Sequence, residues 1–222
     1  LNLIALWKQE KMNPMSKAER AAPRPQFGVA WRDLLRGGET GRLLAVVFIG
    51  TMAFNMQDVL LEPYGGEILG LSVSSTTVLT TVWAIGALIG FVLSGRLLSQ
   101  GHNCYRLAAL GVLVGILAFS LVIFAAPLNA VLLFFSGAGF IGLGGGIFAV
   151  STLTAAMTMP ERGAAGHGLA LGAWGAAHAT AAGLSIDFGG ALRDGMNSVA
   201  EAGLLGAALD KHCPNGIDVN FE

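Results

Sequence analysis

The sequence predicts an all-α integral membrane protein, and composition and charge spacing carry that prediction. Of its 222 residues, 54% are hydrophobic and only 12% are charged, against about 25% charged in an average soluble domain. Four long runs carry no charge: residues 43–57, 68–95, 107–160 and 163–186. This composition excludes a soluble enzyme, a nucleic-acid binder and a disulfide scaffold. A β-barrel is disfavoured, because its strands would alternate polar and apolar residues.

Five membrane-spanning helices are predicted within residues 42–187, because a crossing needs about 20 predominantly apolar residues. The third uncharged run is long enough for two crossings, with Ala126–Asn129 as the turn between them. The predicted spans are about residues 42–61, 74–98, 106–126, 129–158 and 164–186.

The segments on either side of this bundle are polar. Residues 1–6 resemble the end of a preceding helix, and residues 7–41 form a basic linker with three prolines, in which Trp31 anchors a short interfacial helix. Residues 188–222 form an acidic tail, whose apolar stretch from Val199 to Leu209 is too short to span. We expect a fragment, because the chain starts inside an apolar segment and stops before another one.

The distribution of charge predicts the orientation in the membrane. If the N-terminal linker is cytoplasmic, 11 basic and 5 acidic residues lie inside, and 2 basic and 9 acidic residues lie outside. Lysine and arginine are enriched in cytoplasmic loops. The linker is therefore predicted to be cytoplasmic, and the tail periplasmic.

A polar signature ends the first span on the outer side. Asp58 and Glu62 are four residues apart and share one helix face. Pro63 and Gly65-Gly66 are then expected to break the helix. Two carboxylates beside a broken helix end are suited to a cation, a proton or a polar head group, and a merely solvated helix end is the simpler interpretation.

This signature also carries a resemblance to a known family. The run from Gln57 to Gly66, with Tyr64 in it, and the opening Leu3-Ile4-Ala5-Leu6-Trp7 resemble the PucC/LhaA family of the major facilitator superfamily. The resemblance covers essentially the whole chain, as the C-terminal half of a twelve-helix protein. It implies a role in assembling bacterial light-harvesting complexes, and a link to bacteriochlorophyll. One departure is Ser99, which stands where the facilitator superfamily places an acid.

Glycine pairs within the spans predict close helix packing. Four Gly-x-x-x-Gly pairs occur, and such pairs let helix backbones approach closely. Packing within the chain is the simpler interpretation. The alternative is a smooth surface for a flat macrocycle or a partner helix, edged by Phe134, Phe135, Phe140 and Phe148. The pairs are Gly86/Gly90, Gly111/Gly115, Gly142/Gly146 and Gly168/Gly172.

The last span carries two histidines on one stripe. His167, Trp174 and His178 share a face, because a separation of eleven positions between the histidines is only about 20° more than three full turns. Neutral imidazole can ligate a metal such as chlorin magnesium, and Trp174 offers a flat face for stacking. A hydrogen bond to a neighbouring helix or a reach to water is the simpler interpretation of the histidines. The link to a pigment comes from the family resemblance alone, whereas the spacing shows only that the three residues share a helix face.

The resemblance predicts a non-enzymatic assembly factor in the bacterial inner, intracytoplasmic photosynthetic membrane. Antenna subunits or the reaction-centre core complex, bacteriochlorophyll and the lipid bilayer are the expected partners, and nucleic acid is not. Neither a catalytic motif nor metal-ligand spacing is present in the sequence. The alternatives are a proton-coupled transporter of a small solute, using Asp58 and Glu62, and an inactive truncated paralogue.

Overall fold

The computed structural model describes residues 26–36, 38–159 and 167–212, and this part of the chain is helical without strands. A π-helical turn, Tyr64–Ile68, follows the third helix directly. The predicted all-α class is confirmed. The expected end of a preceding helix, most of the basic linker and residues 213–222 lie outside the described residues. The helices are α1 (Phe27–Leu35), α2 (Glu39–Asn55), α3 (Gln57–Pro63), α4 (Val73–Ser99), α5 (Cys104–Ala125), α6 (Val131–Met157) and α7 (His167–His212).

Five stretches of the described chain are long and apolar enough to cross a membrane, as predicted. In hydrocarbon a main-chain amide has no partner except within its own helix, so uncharged runs of this length form helices. The first crossing combines α2, α3 and the start of the π-helical turn. The stretches are Glu39–Gly66, Thr77–Ser99, Cys104–Ala125, Val131–Met157 and Gly168–Val199.

Helix α6 lies at the centre of the bundle, with α4 and α5 packed along it. Glycines make these contacts possible. Gly86 of α4 faces the main chain of α6, and a Cβ at Gly111 of α5 would come within 2.8 Å of the Gly144 carbonyl oxygen of α6. The helices therefore approach at backbone distance, as small-residue interfaces in membranes do.

The pairing of α2 with α7 completes the bundle. Leu43 and Val47 of α2 are buried in a cluster with Ala155 and Ala156 of α6, and Trp174 of α7 packs against it. The short helix α1 lies across one end, where its buried Leu34 contacts α7.

Helix α7 is longer than the sequence predicts. The last span was expected to end near residue 186 and to be followed by a tail, but α7 continues to His212. Residues 187–212 contain charges and no proline, so hydropathy falls there while nothing stops the helix. The predicted tail is thus helical over its first part.

The expected helix break also lies later than predicted. Pro63 sits in the last turn of α3, and the helix continues as a π-helical turn. Proline has no N–H for the carbonyl four residues earlier, and a wider turn accommodates that loss. The chain leaves the helix at Gly70, whose φ of 64° is a conformation that glycine adopts readily.

Candidate functional site

An acidic cleft lies between α3 and α4, and we call it the outer cleft. Asp58 and Glu62 both line it, so the predicted shared face is found, and both side chains are exposed. Gln57 is only 5% exposed, and its amide nitrogen donates a hydrogen bond to the Asp58 carboxylate. The cleft has a volume of about 300 Å³ and is lined by Gln57, Asp58, Leu61, Glu62, Leu79, Thr80 and Trp83.

The second half of the signature, Tyr64 to Gly66, contributes to packing against the rest of the bundle. The ring of Tyr64 stacks on Phe134 of α6, with centroids 5.8 Å apart, and its hydroxyl donates to the Ile123 carbonyl oxygen at 3.4 Å. A Cβ at Gly65 would lie 3.2 Å from the same phenyl ring, whereas Gly66 has open space around it. Tyr64 and Gly65 therefore connect the end of the first crossing to α6, and neither lines the outer cleft.

Two members of the predicted histidine stripe, Trp174 and His178, face other helices of the bundle. The rings of Trp174 and His178 lie with centroids 5.2 Å apart. Trp174 Nε1 donates to Thr152 Oγ1 of α6 at 3.3 Å. The side chain of His167, the third member of the stripe, lies outside the described part. The indole is therefore engaged by its neighbours on α6 and α7.

His178 lines a second, partly open space between four helices, which we call the inner cavity. It lies between α2, α4, α6 and α7 and has a volume of about 200 Å³. Thr51 and Asn55 of α2 bring polar atoms to it, and most of the other lining atoms are apolar. The lining residues are Thr51, Phe54, Asn55, Trp83, Ala87, Phe91, Ile141, Gly142, Gly145, Gly146, Phe148, Ala149 and His178.

Two aromatic side chains are shared between neighbouring spaces. Trp83 lines both the outer cleft and the inner cavity. Phe148 lines both the inner cavity and a third space of about 520 Å³ between α2, α5 and α6. Glu39, Arg42 and Tyr105 line that third space. Among the described residues, these three spaces are therefore neighbours: Trp83 is common to the first pair and Phe148 to the second.

The glycines and phenylalanines predicted to form a smooth groove have different positions. Gly86, Gly90, Gly111, Gly115, Gly142 and Gly146 contact other helices of the bundle, while Gly168 and Gly172 are exposed and meet no described atom. Phe134 and Phe148 are core residues rather than the edge of a groove, Phe135 is half-buried, and Phe140 is 47% exposed. The smooth surfaces of α4, α5 and α6 are therefore occupied by one another.

Sequence reasoning missed Thr51, Asn55 and Trp83 as companions of His178. Thr51 and Asn55 are four residues apart within residues 43–56, which are otherwise apolar, and this polar pair on one helix face was an available signal. Trp83 offered no such signal, because its position between two spaces depends on how the helices pack. Among the described residues, no group of three or more His, Cys, Asp or Glu side chains could hold a metal ion.

The apolar crossings packed around α6 define a multi-pass α-helical membrane protein. The chain belongs to the family described as PUCC protein, which matches residues 1–211. It is 58% identical over 209 residues to an uncharacterized protein in the puhA-bchM intergenic region of Rhodobacter capsulatus, covering 93% of this chain and 43% of that one.

More distant relatives carry other names. Protein PucC of Rhodovulum sulfidophilum is 44% identical over 197 residues, covering 88% of this chain and 43% of that protein. The bacteriochlorophyll synthase 44.5 kDa chain of Rhodobacter capsulatus is 30% identical over 199 residues, covering 86% and 44%. The chain spans less than half the length of these curated relatives. No solved structure matches it.

Proposed function

We propose that this chain is part of a non-enzymatic assembly factor for photosynthetic antenna complexes. It would act in the bacterial inner membrane, with the N-terminal linker in the cytoplasm, as the excess of basic residues there favours. Membership of the PucC family supports the assembly role. The observation that carries the pigment part is His178, an ionisable side chain on the wall of a cavity inside the membrane. Intramembrane ionisable residues are candidates for function.

Bacteriochlorophyll is the cofactor that the family resemblance implies. His178 would be the residue to hold its magnesium, because a neutral imidazole is a common metal ligand. Drug-sized ligands occupy pockets of about 300–1,000 Å³, and the inner cavity has about 200 Å³. The cavity is therefore too small to hold a macrocycle, and most of the pigment would lie outside it. The indole ring of Trp174 packs beside this imidazole. His167 remains a second candidate ligand on the same helix face.

We propose that antenna helices bind the exposed small-residue face of α7. Gly168, Gly172 and Gly183 are exposed and have open space around them, and Ala176 and Ala179, also exposed, continue the same helical face. Trp174 and His178 project about 140° away from this face around the helix. One helix could therefore contact a partner helix outside the bundle and a pigment inside it. Small residues allow close approach of helix backbones in membranes.

Bulky substitutions on this face of the full-length protein test the scaffold. We expect Gly172→Leu with Gly183→Leu to reduce co-purification of antenna polypeptides by roughly tenfold, since a side chain there keeps helices apart. Gly95→Leu is the matched control, because Gly95 on α4 also has open space around it. If all three proteins capture antenna polypeptides equally, the α7 face is not the binding surface. If the unmodified protein captures none, the proposed assembly role is wrong.

A proton-coupled transporter of a small solute is the second candidate function. The observation that favours it is the position of Trp83, which lines both the outer cleft with its two carboxylates and the inner cavity with His178. Carboxylates and histidine relays occur along proton pathways in membranes. Reconstituted full-length protein that moves protons with a solute and carries no pigment would favour this alternative.

A further inference from the structure

The space between α2, α5 and α6, which we call the third space, has a polar rim. Its volume of about 520 Å³ lies within the range of about 300–1,000 Å³ that is typical of ligand sites. Glu39 and Arg42 at the start of α2, and Cys104 and Tyr105 at the start of α5, line it. Helices α2 and α5 begin the first and third crossings, so both start on the side of the N-terminal linker. The four polar residues therefore lie together near the level of the lipid head groups.

Beyond this rim, the accessible walls of the third space are apolar. Val46 of α2 and Ala109 of α5 are exposed, Val112 of α5 is half-buried, and all three line the space. From Tyr105 to Val112 the wall continues for seven residues along α5, which is about 10 Å. The third space thus extends from the head-group level into the hydrocarbon region, and it suits an occupant with a charged end and an apolar chain.

The two charged side chains at the rim have opposite signs. Glu39 and Arg42 are three residues apart, so they share one face of α2, and both are exposed. A guanidinium group binds phosphate through paired N–H donors, and a carboxylate accepts hydrogen bonds from an ammonium group. Tyr105 is 55% exposed and adds a hydroxyl donor. This rim therefore complements a head group that carries both a phosphate and an ammonium better than one with only negative charge.

We propose that the third space binds a phospholipid with an ethanolamine head group. Arg42 and Tyr105 bind the phosphate, Glu39 accepts hydrogen bonds from the ammonium, and the first part of one acyl chain lies along the apolar walls between α2 and α5. The second acyl chain stays in the bilayer. Pockets between membrane-spanning helices that carry basic residues on the cytoplasmic side bind lipid head groups in other proteins. This inference goes beyond the proposed function, because it requires neither pigment nor antenna polypeptides.

The test measures which lipids stay bound to the full-length protein. The protein is reconstituted in vesicles of equal parts phosphatidylethanolamine, phosphatidylglycerol and phosphatidylcholine, extracted in mild detergent, and analysed by native mass spectrometry. We expect phosphatidylethanolamine to be enriched roughly tenfold over the other two lipids. Ala109→Phe should abolish the enrichment, because it places a ring in the third space. Leu110→Phe is the matched control, since Leu110 on the same helix is 47% exposed and does not line this space.

Two further variants test the head-group contacts. Arg42→Gln should lower the retention of phosphatidylethanolamine roughly tenfold, because the phosphate loses its cation. Arg96→Gln is the control, since Arg96 is exposed at the end of α4 on the same membrane side and does not line the third space. Glu39→Gln should remove the preference for ethanolamine over choline, whose quaternary nitrogen has no N–H to donate. All the variants should unfold at the temperature of the unmodified protein, because the altered side chains are exposed.

Three results would overturn this inference. If Ala109→Phe and Arg42→Gln retain phosphatidylethanolamine as the unmodified protein does, the lipid binds elsewhere. If phosphatidylglycerol is enriched instead, negative charge is recognised and the ethanolamine head group is the wrong ligand. If no lipid is enriched on the unmodified protein, another part of the full-length protein or a partner helix covers the third space. The capture of antenna polypeptides and pigment is measured separately, so none of these results decides the proposed function.

Discussion

The indole of Trp174 lies beside the imidazole of His178 and is hydrogen-bonded to α6. Their ring centroids are 5.2 Å apart, with the planes tilted by 34°, and the indole N–H donates to Thr152 Oγ1. The Thr152 hydroxyl donates in turn to the Phe148 carbonyl oxygen at 2.9 Å. This series of contacts connects the imidazole to α6. We therefore assign Trp174 a positioning role, whereas the sequence suggested a surface for stacking on pigment.

The positioning role predicts a specific effect of Trp174→Phe. Phenylalanine keeps an aromatic ring beside His178 but loses the hydrogen bond to Thr152, which contributes about 1 kcal/mol. We expect pigment affinity to fall roughly fivefold, measured by titration of the full-length protein. Thr152→Val should have the same effect, and the double variant should be no worse than either single one. Additive losses would show that the two residues act separately.

The glycine contacts predict opposite results for two alanine substitutions. Gly86→Ala places a Cβ against the main chain of α6 at Gly139, so we expect a loss of about 1–3 kcal/mol in the free energy of unfolding. Gly172→Ala meets no described atom, and alanine favours helix over glycine by about 0.5–1 kcal/mol. Its stability should be equal or higher. Thermal unfolding in detergent measures both, and equal losses would contradict the packing described for α4 and α6.

The packing of Tyr64 on Phe134 predicts that losing the Phe134 ring lowers the free energy of unfolding more than losing the Tyr64 hydroxyl. Phe134 is fully buried, and its replacement by alanine should cost about 3–5 kcal/mol. Tyr64→Phe keeps the stacked ring and loses one long hydrogen bond, so about 1 kcal/mol or less is expected. The yield and unfolding temperature of purified protein measure the difference. A severe effect of Tyr64→Phe would point to a role for the hydroxyl beyond packing.

Trp83 is predicted to separate the outer cleft from the inner cavity. Trp83→Ala removes that wall, so a cysteine introduced by Asn55→Cys should react faster with a membrane-impermeant thiol reagent added from the side of Asp58 and Glu62. We expect an increase of roughly tenfold, in protein whose native cysteines, Cys104 and Cys213 among them, are replaced by serine. Ile85→Ala is the control, because Ile85 on the same helix is 54% exposed on the outside of the bundle. An unchanged rate in Trp83→Ala would show that the two spaces do not communicate there.

The number and order of the crossings could be predicted from the uncharged runs in the sequence, because charged side chains are costly in hydrocarbon. The shared face of Asp58 and Glu62 followed in the same way from helical periodicity. The end of α7 could not be predicted. Falling hydropathy shows where the chain leaves the membrane but not where the helix ends, and no proline interrupts residues 187–212. The burial of the Thr51 hydroxyl could not be predicted either, because it depends on which helices surround it.

The central claim is that this family member carries bacteriochlorophyll at His178 while it assembles antenna complexes. The most direct test is the pigment content of purified full-length protein, unmodified and as His178→Leu, read from near-infrared absorption per protein. The account predicts a bound-pigment band with antenna polypeptides in the unmodified protein, and roughly tenfold less pigment in His178→Leu at an unchanged unfolding temperature. Unmodified protein with neither pigment nor antenna polypeptides, or full pigment content in His178→Leu, would contradict it.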